Sequence, residues 1–129
     1  MNSWMNMLND LLICACKEND VAVQNYDAGR SILEMLGLTE VVENTEGFAF
    51  DLGSGPFILY NKRRHKASRL YTVAHELAHA VMGHLDKDCT LSHECREKEA
   101  NIFASVFVAM SIFCVAMNKE GFNVEVTTV

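Results

Sequence analysis

The 129-residue chain has little of what marks multidomain or nucleic-acid-binding proteins. It contains one proline, no internal repeat and no linker rich in Gly and Ser, so a single domain over residues 1–129 is predicted. Lys and Arg number 11 against 17 Asp and Glu, which gives a net charge of −6. Because nucleic-acid-binding domains are usually basic, we expect no direct contact with nucleic acid.

The cysteines and the N-terminal stretch also lack the signs of a secreted protein. Five cysteines are an odd number without a CxxC spacing, so no disulfide framework is predicted. Residues 1–16 have no positively charged start and are not expected to form a signal peptide. Free thiols persist in a reducing compartment, which favours a cytoplasmic location.

A long uncharged run, residues 102–117, raises the question of a membrane span. Its 16 residues are fewer than the roughly 20 that cross the hydrocarbon core as a helix. The run also continues directly from a polar segment that contains candidate metal ligands. It is therefore predicted to be a buried core helix, and no membrane partner is expected.

The chemistry is expected in the apolar segment 71–84, where His75, Glu76 and His79 form a HExxH pattern. Residues four apart lie on one face of a helix, so both histidines can direct a ring nitrogen at one ion. Glu76 is then free to take a proton from an activated water, the general-base role in metal-assisted peptide hydrolysis. The competing interpretation is two hydrogen-bonded core histidines beside a surface glutamate, and the apolar flanks favour buried groups that need partners.

His84 is the nearest candidate for a third ligand, but its spacing is wrong. It lies nine residues after His75, whereas the metzincin pattern places the third histidine ten residues after the first. The three-histidine pattern of metal-dependent ribonucleases, H-x3-H-x5-H, also needs one more residue between His79 and His84. His84 is therefore predicted to be an exposed residue that interacts with the dipole at the helix C-terminus.

The third ligand is expected from the next helix, because a catalytic zinc ion takes three protein ligands and keeps one open position. Glu97 and Asn101 are one turn apart, on a stripe that Ala104 continues into the apolar run. If this stripe faces the HExxH helix, Glu97 completes a His-His-Glu site and Asn101 orients a ligand from behind. Glu99, on a neighbouring face, remains the alternative ligand.

The remaining pattern predicts helices at the N-terminal side and a small sheet. Apolar residues at three- and four-residue spacing predict a helix over residues 1–16. A second helix is expected over residues 27–36 with Asp27 as N-cap and Gly37 just after its end. Ser68 is the predicted N-cap of the HExxH helix over residues 69–84.

Two aromatic and β-branched segments, residues 47–51 and 57–61, predict a β-hairpin around a Gly-rich turn. Two strands are marginal alone, so a third is expected, with residues 41–43 as the weak candidate. The fold class predicted is α+β: a small antiparallel or mixed sheet packed against a helical bundle, with the metal held between two helices.

The chain resembles the ImmA/IrrE-type metallopeptidases, a family of compact, gluzincin-like zinc enzymes with a zincin-like domain. The resemblance covers residues 47–110 and is carried by the segments FILYN, YTVAHELAH and EKEANIFA. It implies a single Zn²⁺ ion with His75, His79 and Glu97 as metal ligands and Glu76 as catalytic base. It further implies cleavage of a helix-turn-helix transcriptional repressor of a mobile element or stress regulon. Unlike many members, this chain has no proline after the second motif.

The sequence is also compatible with two other functions. One is a binding module in which the metal only organises a surface that sequesters the repressor, and intact Glu76 argues against it. The other is a metal-dependent ribonuclease, which the histidine spacing and the acidic charge oppose. A strand edge near residues 57–60 is expected to hold an extended substrate, and the candidates for stabilising the oxyanion are Tyr71, His65 and His93.

Overall fold

The computed structural model describes residues 2–40, 44–63 and 66–119. In this part of the chain, four helices and three strands follow one another as α1 (Asn2–Glu18), β1 (Ala22–Asn25), α2 (Arg30–Leu36), β2 (Gly47–Asp51), β3 (Pro56–Tyr60), α3 (Lys66–Val81) and α4 (His93–Lys119). The predicted α+β class is confirmed. The predicted strand at residues 41–43, and the tail beyond residue 119, lie outside the described residues.

The sheet is mixed and has the strand order β1-β3-β2. The predicted hairpin is confirmed, because β2 and β3 pair antiparallel with Phe48 opposite Leu59. Its turn is held by the Asp51 carboxylate, which accepts the backbone N–H groups of Gly53 at 2.7 Å and Gly55 at 3.2 Å. Both glycines have positive φ, of 106° and 117°, which a residue with a Cβ adopts at a cost.

The third strand is β1, which pairs parallel with β3 and was not predicted. As a result β3 is the central strand, hydrogen-bonded on both sides. Ile58 and Leu59 are consecutive residues of β3, so their side chains point to opposite faces of the sheet. Each is fully buried in a different hydrophobic cluster. The prediction that residues 57–60 offer a free edge to a substrate is therefore wrong, since both edges of β3 are already paired.

Helix α1 packs its predicted apolar stripe onto α3, α4 and β1. Leu8, Leu12 and Ala15 are buried, with Met5 and Leu11 partly buried against the same cluster. The 3.6-residue period of these side chains explains why one face of the helix is apolar along its length.

The helix starts differ from the predictions. Helix α2 begins at Arg30, with Gly29 at the N-cap position and no side-chain cap, and Asp27 instead forms an ion pair with Lys62 at 3.0 Å. Helix α3 begins at Lys66, which places Ser68 inside its first turn. The predicted helix end at Gly37 is confirmed by its left-handed φ of 69°.

Helix α4 is a core helix on one face only. Its buried side chains include Ala100, Ala104 and Phe107, whereas Ile102 and Val106 are exposed on the other face. By length and composition this helix could also cross a membrane, and about a third of its apolar window is buried in the fold. The prediction of a buried core helix is thus correct for the face toward α3 and wrong for the outer face.

Small residues at this contact let α3 and α4 lie close together. Ala74 and Ala78 on α3, and Ala100 and Ala104 on α4, have no solvent exposure. The distance between packed helices depends on the side chains between them, so alanine at these positions brings the polar groups of both helices within reach of one another.

We expect Ala104→Leu to destabilise the protein by about 1 to 3 kcal/mol, because three extra carbons must fit at a fully buried position. The matched control is Ala109→Leu, at an exposed position of the same helix. Urea unfolding of both variants without metal measures the difference. Equal stability of the two variants would mean that α3 and α4 are not in close contact.

Candidate metal centre

The two histidines of the HExxH segment lie one turn apart on α3 and direct their rings to the same point. Their Nε2 atoms are 3.2 Å apart, and the ring planes are inclined by 78°. Both side chains are largely buried, because the residues that flank them in α3, including Val73, Ala74, Leu77 and Ala78, belong to the core.

Glu97 of α4 reaches the same point from the opposite helix. Its Oε2 atom lies 2.9 Å from His75 Nε2 and 3.0 Å from His79 Nε2. Tetrahedral zinc with ligands at about 2.0–2.1 Å has distances of roughly 3.3 Å between ligand atoms, close to those of this triangle. Two imidazole nitrogens and one carboxylate oxygen are also ligand types that zinc accepts, so these residues fit the ion.

The Glu76 carboxylate lies beside this triangle. One of its oxygens and the ring nitrogens of the two histidines are all within 4.8 Å of one another. The carboxylate accepts a hydrogen bond from the backbone N–H of Ala49 in β2. Burial, and then the nearby negative charge of Glu97, raise the pKa of Glu76 to about 7, although the Ala49 hydrogen bond opposes the shift.

The ionisation states of His79 and Glu97 favour the binding of a cation. Burial lowers the pKa of His79 below its ordinary value, so its ring is neutral and has a lone pair at neutral pH. Burial alone would raise the pKa of Glu97, but the charges and hydrogen bonds of His75 and His79 outweigh it and lower that pKa. A carboxylate and a neutral imidazole are the forms that bind metal.

His84 is not the exposed residue that was predicted. Its side chain is only 1% exposed, with Nδ1 at 2.9 Å from His79 Nδ1 and Nε2 at 2.7 Å from Glu99 Oε1. The physical reason is the turn at Gly83, whose φ of 74° reverses the chain directly after α3. The backbone N–H of His84 then bonds the carbonyl of His79 at 3.0 Å, the pattern of a Schellman helix end.

The buried position of His84 could have been predicted from the sequence, because Gly83 comes directly before it. A glycine after an apolar helical segment is the usual signal for a left-handed helix end, and the residue after it folds back onto the last turn. Glu99, the alternative to Glu97, contacts His84 and is not among the groups within hydrogen-bonding distance of the two Nε2 atoms.

The remaining candidates lie at the edge of the site. Tyr71, one turn before His75, donates a hydrogen bond to Asn101 Oδ1 at 3.3 Å. Asn101 was expected to orient a candidate ligand, and the hydrogen bond found for it is to this tyrosine. His93 is 82% exposed, with Nε2 at 3.9 Å from Glu97 Oε1. His65 lies outside the described residues.

The comparison with known families gives one match. The peptidase M78 family model, described as the IrrE N-terminal-like domain, matches residues 40–125, about two thirds of the chain. No curated protein and no solved structure matches the chain significantly.

The contribution of Glu76 to the stability of the zinc-free protein should fall as the pH rises from 4.5 to 7. In this window the folded state keeps the Glu76 proton, whose pKa is about 7, whereas the unfolded chain releases it near pH 4.5. The full window is worth about 3 kcal/mol. Glu76→Gln cannot ionise, so the variant should match wild type below pH 4.5 and exceed it by about 2 to 3 kcal/mol at pH 8.

Urea unfolding at several pH values measures this gap. The control is Glu94→Gln on α4, where the carboxylate is 79% exposed and pairs with Lys98 at 3.4 Å. The control should follow the wild-type profile. A constant difference between Glu76→Gln and wild type across the window would contradict the prediction.

Proposed function

Because this chain belongs to the peptidase M78 family of IrrE N-terminal-like domains, we propose that it is a zinc-dependent endopeptidase with His75, His79 and Glu97 as ligands of one Zn²⁺ ion. The observation that carries the proposal is the triangle of two Nε2 atoms and one carboxylate oxygen, with sides of 2.9, 3.0 and 3.2 Å. Three such groups converge from two helices, which a pair of ordinary core histidines does not require.

Glu76 is the catalytic base of the proposed reaction. When bound, zinc would supply a Lewis acid that acidifies water and polarises a peptide carbonyl. Glu76 takes the proton of the attacking water, while the Ala49 N–H keeps its carboxylate in place. The same group can then return the proton to the leaving amine, as a general acid does.

The outer edge of β2 is the proposed binding surface for the substrate backbone. In the described residues β2 pairs with β3 on one side only, and Glu46 O accepts the N–H of Asn61 just before the strand. In an antiparallel pair, residues whose backbone groups bond to the partner strand alternate with residues whose backbone groups point away from it. Because Glu46 is bonded to Asn61, Gly47, Ala49 and Asp51 direct their backbone groups away from β3. Since Ala49 contacts Glu76, an extended peptide added along this edge would pass the proposed catalytic base.

The proposed substrate is a helix-turn-helix transcriptional repressor of a mobile element or stress regulon, in the cytoplasm. The support for it is the resemblance of the sequence motifs, together with charge. The chain has a net charge of −6, and DNA-binding proteins are usually basic, so the two would attract. Free thiols at all five cysteines suit a reducing compartment.

A cleavage assay tests the proposed reaction. Zinc-loaded protein is incubated with the helix-turn-helix repressor encoded nearby, and the products are identified by mass spectrometry. Wild type should cut the repressor once, and Glu76→Gln should be slower by about 100-fold or more, because removal of a general base costs that much. The variant should still bind zinc, since Glu76 is not a proposed ligand.

Two other results of this assay would indicate the two alternative functions, a binding module or a ribonuclease. A stable complex with the repressor and no cleavage by either protein would indicate a binding module. Cleavage of RNA, with the repressor intact, would indicate a ribonuclease. Either result would contradict the proposed peptidase.

Zinc should also stabilise the fold, because its proposed ligands join α3 to α4. At a free zinc concentration about 100 times the Kd, binding adds about 2.7 kcal/mol. For a chain of this length the Tm should rise by roughly 10 °C over the chelator-treated protein. Glu97→Gln should lose most of this shift, and the control Glu94→Gln should keep it. An unchanged wild-type Tm with zinc would contradict the site.

A further inference from the structure

We propose that Glu99 and His84 are positioning residues that hold His79 in the tautomer and orientation needed to bind zinc through Nε2. The three residues form a hydrogen-bonded chain, with Glu99 Oε1 at 2.7 Å from His84 Nε2 and His84 Nδ1 at 2.9 Å from His79 Nδ1. The inference rests on the proposed function, in which His79 is a zinc ligand.

The direction of the protons follows from the carboxylate at one end. An ionised carboxylate only accepts, so His84 Nε2 carries the proton of the 2.7 Å contact. A neutral imidazole has one N–H, which leaves His84 Nδ1 as an acceptor. His84 therefore favours a proton on His79 Nδ1 and a lone pair on its Nε2, whereas Glu97, with Oε2 at 3.0 Å from that Nε2, favours a proton there when no zinc is bound.

Burial of His84 restricts these three hydrogen-bonded residues to one arrangement. The His84 side chain is 1% exposed, and both of its ring nitrogens are used by His79 and Glu99. Its backbone is also fastened to His79, since its N–H bonds the His79 carbonyl at 3.0 Å. The ring of His84 thus has no room to turn without breaking contacts that a buried polar group requires.

Glu97 and Glu99, both on α4, then have different tasks. Glu97 contacts the Nε2 atoms of both histidines, and Glu99 acts on His79 from behind through His84. His75 has no corresponding support in the described part of the chain, where its buried Nδ1 has no hydrogen-bond partner. A carboxylate behind a ligating histidine orients the ring and raises its basicity, and its loss typically weakens metal binding 10- to 100-fold.

Zinc affinity is the first measurement. Competition with a chromophoric chelator gives the zinc Kd of wild type, Glu99→Ala and His84→Leu. We expect both variants to bind zinc roughly 10 to 100 times more weakly than wild type. Glu94→Ala is the matched control, because it removes a carboxylate of the same helix that pairs with Lys98, and its Kd should equal that of wild type.

Glu99→Ala keeps the test valid if His84→Leu does not fold. The Glu99 side chain is 42% exposed, so its removal leaves no closed cavity. Circular dichroism of the zinc-free variants shows which of them are folded.

The tautomer of His79 is the second measurement, and a merely structural role of His84 would not change it. Nitrogen-15 NMR of the zinc-free protein at pH 8 should show a larger fraction of the Nδ1–H tautomer for His79 in wild type than in the two variants. In His84→Leu and Glu99→Ala the Nε2–H form should increase, while the signals of His75 stay the same.

The two measurements separate this inference from the proposed function. If wild type binds zinc but both variants bind it equally well, or if the His79 tautomer does not change, the inference is wrong and the peptidase proposal stands. If wild type binds no zinc, the peptidase proposal fails, and the His79 tautomer alone still decides whether His84 and Glu99 position this ring.

Discussion

The contact between α3 and α4 is the constraint on which the rest of the structure depends. Glu97 meets His75 and His79 from a position 22 and 18 residues further along the chain, so the site exists only while the two helices are held together. Fully buried alanines on both helices, Ala78 and Ala104 among them, permit the short distance. The polar site thus depends on a contact in which small apolar side chains let the two helices approach.

Helix α3 combines two roles that usually oppose each other. Leu77 and Ala78 belong to the apolar core, while Glu76 and His79, beside them, are the ionisable groups of the site. Burial disfavours the charged form of each group and so moves the two pKa values in opposite directions, up for the acid and down for the imidazole. The same packing that stabilises the helix therefore places a carboxyl group with a pKa of about 7 beside an imidazole that is neutral at neutral pH.

The features that the sequence predicted correctly are those with a local pattern: the HExxH helix, the hairpin around its glycine turn and the apolar stripe of α1. The errors concern contacts made at a distance. Strand β1 has four residues that are exposed or half-buried in alternation, and it is a strand because it pairs with β3. Asp27 forms a pair with Lys62 instead of capping. His84 is buried and not exposed as predicted, because Gly83 turns the chain back and brings His84 onto the last turn of α3.

The left-handed turn at Gly83 fixes the number of residues between His79 and His84. An α-helix rotates by about 100° per residue, so one residue added or removed between His79 and Gly83 would direct the turn to another side of α3. The five-residue step from His79 to His84 should therefore admit no insertion or deletion. The surface loop at residues 85–92 connects two helices whose ends are fixed by other contacts, and its length is free to vary. In relatives, gaps should fall after residue 84 and not before it.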